Sequence, residues 1–113
     1  SMKYNLLWDK VLHLGLLPDS FYAAETASYL PRINTYGLPL DSRADYTKSD
    51  WICWTARMAD DPAVRAALIA PVAKELHETT SRVPFSDWYD TKTTRFVAFI
   101  GRSVQGGLFA LML

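Results

Sequence analysis

The sequence predicts an all-α fold, an array of about five helices packed as one domain. Three observations predict it. Apolar residues recur three and four positions apart in five separate stretches. Residues that start or stop helices, such as Gly15, Pro18 and Asp61-Pro62, fall between those stretches. The chain has 113 residues, 50% hydrophobic and 21% charged, which suits one packed core and excludes an intrinsically disordered polymer.

Helix one is expected near Tyr4 to Leu14, with Leu7, Val11 and Leu14 in register, Gly15 as its stop and Pro18 blocking continuation. Helix two starts at Asp19 or Ser20 and carries Tyr22, Thr26, Tyr29 and Ile33 on one side. Pro31 should kink it or end it early, and Gly37 closes it. Helix three is placed at Ser49 to Ala59, with Thr47 as N-cap and Asp50 completing a capping box. Trp51, Ile52, Trp54, Ala56, Met58 and Ala59 make it apolar on nearly every side, so it should be enclosed by protein. Helix four opens with Asp61 as N-cap and Pro62 at the first helical position. Val64, Leu68, Val72 and Leu76 form its buried stripe; Arg65, Lys74, Glu75 and Glu78 should face water, and the helix should lie outside helix three. Helix five is expected from Phe96 to the end. It stops at Leu111-Met112-Leu113 in mid-stripe, which reads as part of a larger fold or as an end covered by a partner. Ser1-Met2 reads as the remnant of a cleaved tag, and residues 3–113 as a single partial domain.

Twelve basic residues balance twelve acidic ones, and the pI is about 6.7. A nucleic-acid module carries a basic surplus to neutralise phosphates, so that class is excluded. No apolar run approaches the roughly 20 residues needed to span a bilayer, so no membrane partner is expected. Cys53 is the only cysteine, which excludes an internal disulfide and the multi-cysteine zinc patterns. It lies between Ile52 and Trp54 and reads as an inert buried thiol. His13 and His77 stand far apart and read as structural, so neither a metal nor another cofactor is expected.

Two long connections carry the chemistry. Leu38 to Lys48 reads LPLDSRADYTK and Arg82 to Arg95 reads RVPFSDWYDTKTTR. Both exceed the usual length of links between bundle helices. Both run in the same sense in an up-down array, so both should emerge on one rim. Asp41, Asp50, Asp87 and Asp90 could act as general acids or bases, since a carboxylate near another or among aromatic rings can hold a proton. Taken singly each reads rather as a helix cap or an Asx-turn, Asp50 above all because of its place in a helical first turn. Trp51, Trp54 and Trp88 offer stacking surfaces or simple packing; Trp88, between Asp87 and Tyr89 in a loop, is the best binding candidate. Arg102 is a lone cation in an apolar stretch. It reads as a clamp for a substrate carboxylate or as a bridge to Asp87 or Asp90 that pins the loop. Gly106-Gly107 permits close helix packing. No catalytic serine triad, P-loop or dinucleotide fingerprint is present.

A set of segments then resembles the glutaminase A family: YNLLWDKVL at Tyr4 to Leu12, YGLPLDSR at Tyr36 to Arg43 with YTKSDW at Tyr46 to Trp51, ETTSRVP at Glu78 to Pro84 with SDWYDTKT at Ser86 to Thr93, and RSV-x-GG at Arg102 to Gly107. They occur in the family's order along the whole chain. The resemblance implies helical hairpins forming part of an (α/α)6 toroid with the cleft at one mouth, the chain being its later portion. It implies hydrolysis of the glutamine side-chain amide to glutamate and ammonia, and a secreted or periplasmic protein. His13, Pro31, Ile100-Gly101 and Gln105 depart from the family pattern. On the matching loop positions, Asp50, Asp87 and Asp90 are the catalytic candidates. Asp41, Arg43, Lys48, Trp51, Trp88 and Arg102 are the substrate-binding candidates. An incomplete ring is expected to be inactive alone and to self-associate or to pack against missing hairpins. Carbohydrate-active domains share such toroids, so a sugar-directed or a purely assembling role stands as the alternative.

Overall fold

The computed structural model describes residues 1–81 and 84–113; Arg82 and Val83, which open the second long connection, lie outside the described residues. Of the described residues 53% are helical, and among them is one small two-stranded sheet. A 3-10 turn at Tyr4–Leu6 leads into α1 (Leu7–Val11), followed by α2 (Asp19–Tyr29) and a second 3-10 turn at Leu30–Arg32. Then come β1 (Tyr46–Lys48), α3 (Ser49–Met58), α4 (Pro62–Glu78), β2 (Trp88–Asp90) and a 3-10 helix at Ser103–Met112. Among the described residues no helix is long and apolar enough to cross a membrane.

The first helix is shorter than its apolar spacing suggests. His13 takes a left-handed φ of 54°, its N–H donates to the Lys10 carbonyl, and the Leu14 N–H reaches back to the Asp9 carbonyl at 3.0 Å. That pair of bonds is a Schellman ending, with histidine where glycine is usual. The Asp9 side chain then accepts from the N–H groups of Leu16 and Leu17 and from the Tyr22 hydroxyl, folding the following residues back over α2. These bonds hold the Asp9 carboxyl below the usual carboxylate range, the Tyr22 bond most of all. Leu12 and Leu14 are left exposed.

Pro31 ends α2 as its ring geometry requires: the helix passes at Leu30 into one 3-10 turn. Tyr22, Thr26 and Tyr29 are buried along one side. Helix α3 is the centre of the domain. Ile52, Cys53, Thr55, Ala56 and Met58 are all buried, and α1, α2, α4, β1 and the last segment pack around it. Helix α4 lies outside it, started by the Asp61 carboxylate accepting from the Ala63 N–H at 2.8 Å. Its buried side is Leu68, Val72 and Glu75; Leu76 is exposed instead. Glu75, expected in water, is therefore in the interior.

The last helix departs furthest from expectation. Residues 96–102 are not helical because β2 and the residues just before it take backbone partners from this segment. Phe96 bridges Tyr89, the Val97 N–H donates to the Trp88 carbonyl at 2.9 Å, and the Gly101 N–H donates to the Phe85 carbonyl at 3.2 Å. What remains, Ser103–Met112, is wound as 3-10. Thr47, expected as a cap, lies in β1, and α3 begins after Lys48 with no side-chain cap. The Asp87 carbonyl fills that role, accepting the Ser49 N–H at 2.9 Å.

Candidate functional site

The two long connections do meet. β1 and β2 pair antiparallel, with Lys48 opposite Trp88, Thr47 opposite Tyr89 and Tyr46 opposite Asp90. Alternation along the strands buries Thr47 and Tyr89 and puts Tyr46, Lys48, Trp88 and Asp90 on the other face. Lys48 then has its ammonium over two indoles, 4.4 Å from the Trp51 ring and 5.1 Å from the Trp88 ring. Trp51 stacks on Tyr4 at 3.9 Å and 8°, and Trp88 has Tyr46 edge-on and Phe99 stacked beside it.

Each of the two tryptophans follows a buried carboxylate in the sequence, Asp50 before Trp51 and Asp87 before Trp88. Asp87 is fully buried and held by Arg102, whose Nε donates at 3.1 Å to one oxygen while Nη2 donates to the other. The expected bridge from Arg102 to Asp87 therefore forms, although Arg102 precedes the last helix, and its two-point geometry fixes both side chains. Arg102 also lies 4.1 Å from the Phe99 ring. Asp50 is buried beside this pair, and its Oδ1 has no hydrogen-bond partner. Burial first, and then the Asp87 charge, raise its pKa above the ordinary aspartate value. Burial also pushes the Cys53 thiol up to about 11, consistent with an unreactive side chain.

The other candidates stand apart. Asp41 accepts from the Arg43 Nε at 2.9 and 3.0 Å, and these bonds hold its pKa down at about 2. Both line a separate concavity of about 490 Å³ with Arg32, Asn34 and Asp45. Asp90 accepts from the N–H groups of Lys92 and Thr93 at 2.8 and 2.9 Å, closing the turn after β2. Among the described residues no hydrogen bond or ion pair joins Asp41, Arg43 or Asp90 to Asp50 or Asp87. No group of histidine, cysteine and acidic side chains among the described residues is arranged to hold a metal.

The Asp50 cluster is roofed by the last segment. Gly107 sits so close to α3 that an added Cβ would lie 2.7 Å from the Trp54 Nε1 and 2.9 Å from the Asp50 Cβ. At Gly106 the same atom meets nothing within 4 Å. Gly107→Ala is accordingly expected to cost about 1–3 kcal/mol of overpacking, read as a fall in the urea midpoint, whereas Gly106→Ala should leave the midpoint unchanged or slightly higher. Equal effects of the two would show that this contact does not hold the segment.

The glutaminase A six helical-hairpin domain description matches residues 1–112. The chain is 40% identical over its whole length to Glutaminase A of Aspergillus oryzae, and 36% identical over 87% of its length to a protein of Arthroderma benhamiae named "Probable glutaminase". It spans 17% of the first relative and 12% of the second. No solved structure matches it significantly. The chain belongs to the glutaminase A six helical-hairpin domain family.

Proposed function

We propose that this chain is part of a glutaminase A-like amidohydrolase, that it forms an arc of an (α/α)6 toroid, and that Asp50 is the acid/base of its site. The observation that carries the reading is the Asp50 carboxyl: buried, with one oxygen unpartnered, beside the Asp87–Arg102 pair and covered by Gly107. A carboxyl whose surroundings favour its protonated form more than water does is suited to moving a proton. In the proposed reaction water adds to the side-chain amide carbon of glutamine while its proton passes to Asp50. The C–N bond then breaks, the nitrogen takes that proton and leaves as ammonia, and the glutamate side-chain carboxyl remains. Asp87 and Arg102 position Asp50 rather than touch substrate. Because Arg102 is already engaged, Lys48 holds the substrate carboxylate, with Trp51 and Trp88 as walls and Asp90 at the rim. Asp41 and Arg43 serve the neighbouring concavity.

Asp50 is 3% exposed and Gly107 packs against its side chain, so substrate access requires residues 103–112 to move. The isolated chain is therefore expected to release no ammonia from glutamine, and the complete domain to do so with saturation. The apolar side chains left exposed, including Trp8, Leu12, Phe109 and Met112, fit packing against further hairpins or a second copy. Calorimetric titration of the complete domain with glutamine and with a glycan panel tests the reading. Saturable heat with a glycan and none with glutamine would replace it with the sugar-directed alternative.

A further inference from the structure

Glu75 belongs to none of this. It lies on the other side of the sheet, beneath the inward-facing Tyr89, and is 4% exposed. Its Oε2 is buried without a hydrogen-bond partner, and among the described residues it forms no ion pair. A carboxyl in that position costs free energy unless something pairs with it. It lines a cavity of about 30 Å³ whose other walls include Ser86, Tyr89 and Thr94. That volume accommodates one water-sized group. Thr79, Ser81, Thr94 and Phe96 are shared with an adjoining, open cleft of about 390 Å³, which is also lined by Thr80, Arg95 and Val97. The arrangement is thus a carboxyl at the floor of a chamber one heavy atom wide, with hydroxyl-bearing residues and an aromatic ring around it and a larger vestibule outside.

We propose that Glu75 anchors a binding site for a primary ammonium group, the head filling the inner chamber and any remainder of the ligand lying in the outer cleft. The inner chamber sets the head. An –NH3⁺ group has the size of water, donates up to three hydrogen bonds and supplies the charge that a buried carboxylate lacks. A neutral donor of equal size leaves that charge uncompensated, and a quaternary ammonium is too wide to enter. The Tyr89 ring offers a further favourable surface for a cation. Free ammonium and a small amine or amino acid share this chemistry. Arg95, exposed at the cleft, favours a ligand whose outer end is anionic. The site depends neither on Asp50 nor on amide hydrolysis.

The test is an amide-resolved NMR titration of the 113-residue chain at pH 8, where Glu75 is ionised. Ammonium chloride, methylammonium and glycine are the probes; tetramethylammonium and sodium chloride at matched ionic strength are the controls. Saturable shifts at Thr94, Phe96 and the Glu75 carboxyl with any of the three probes, absent in the controls, are expected. Glu75→Gln should weaken the binding at least tenfold. Its folding is checked by spectral dispersion and by retention of the Gly107-side resonances. A response to ammonium alone assigns the head chamber only, and a stronger response to glycine extends the assignment to the cleft. Shifts equal to those in the controls, or unchanged in a folded Glu75→Gln variant, overturn the proposal. So does the absence of saturable shifts.

Discussion

Asp50→Asn in the complete six-hairpin domain is expected to lower kcat for ammonia release from glutamine about 10²–10⁴-fold, the usual contribution of a positioned acid/base. The change keeps the side-chain shape and removes only the ionisable group. The fold should not suffer, because the wild-type carboxyl is itself at a disadvantage when charged: it is buried, next to Asp87, and short of one hydrogen bond. Asp87→Asn should behave differently. It loosens Arg102, and with it the segment from Ser103 onward, so kcat and the unfolding midpoint should fall together. A pH profile separates the two roles. The wild type should lose activity at low pH as Asp50 becomes protonated, above the range of an ordinary aspartate, whereas Asp50→Asn should show a flat residual rate there. An Asp50→Asn enzyme within threefold of wild type would remove Asp50 from the mechanism.

Glu75→Gln is expected to change the pH dependence of stability by on the order of 3 kcal/mol across its window. Burial raises the Glu75 pKa from 4.5 to about 7. The folded state therefore binds this proton more tightly than the unfolded state, and stability falls as pH rises from about 4.5 through about 7, then levels off. The glutamine variant lacks that titration. Its advantage over wild type should be small near pH 4.5 and largest above pH 7, whatever other groups contribute to both proteins. Urea midpoints of the pair from pH 4.5 to 8 measure it. A difference that stays constant with pH would mean that Glu75 is paired or solvated.

The parts of the fold that local signals specify were legible. Asp61-Pro62 starts α4, Pro31 ends α2, and the uniformly apolar α3 lies at the centre. The meeting of the two loops also followed from their common sense along the chain. What failed were places where a distant partner outbids local preference. Residues 96–102 have helical spacing, but the carbonyls of Trp88 and Phe85 take the Val97 and Gly101 N–H groups, and two strands of three residues leave no local trace. Asp9 overrides the apolar register of the first helix by collecting three donors. Glu75 looked like a solvent-facing charge, although its spacing of three and seven from Val72 and Leu68 puts it on the buried stripe. Of the candidate residues, Lys48, Asp50, Trp51, Asp87, Trp88 and Arg102 come together. Asp41 with Arg43, and Asp90, named from the loop motifs that resemble the family, lie apart in a local ion pair and a turn, because such turns use the same residues as sites do.

Cys53 gives this domain a built-in clock. The lone thiol is nine-tenths enclosed in the central helix and stays protonated at neutral pH. A disulfide reagent can capture it only during moments when the helices part, so labelling half-times in a series of variants rank how often the interior breathes, without any attached dye or added tag.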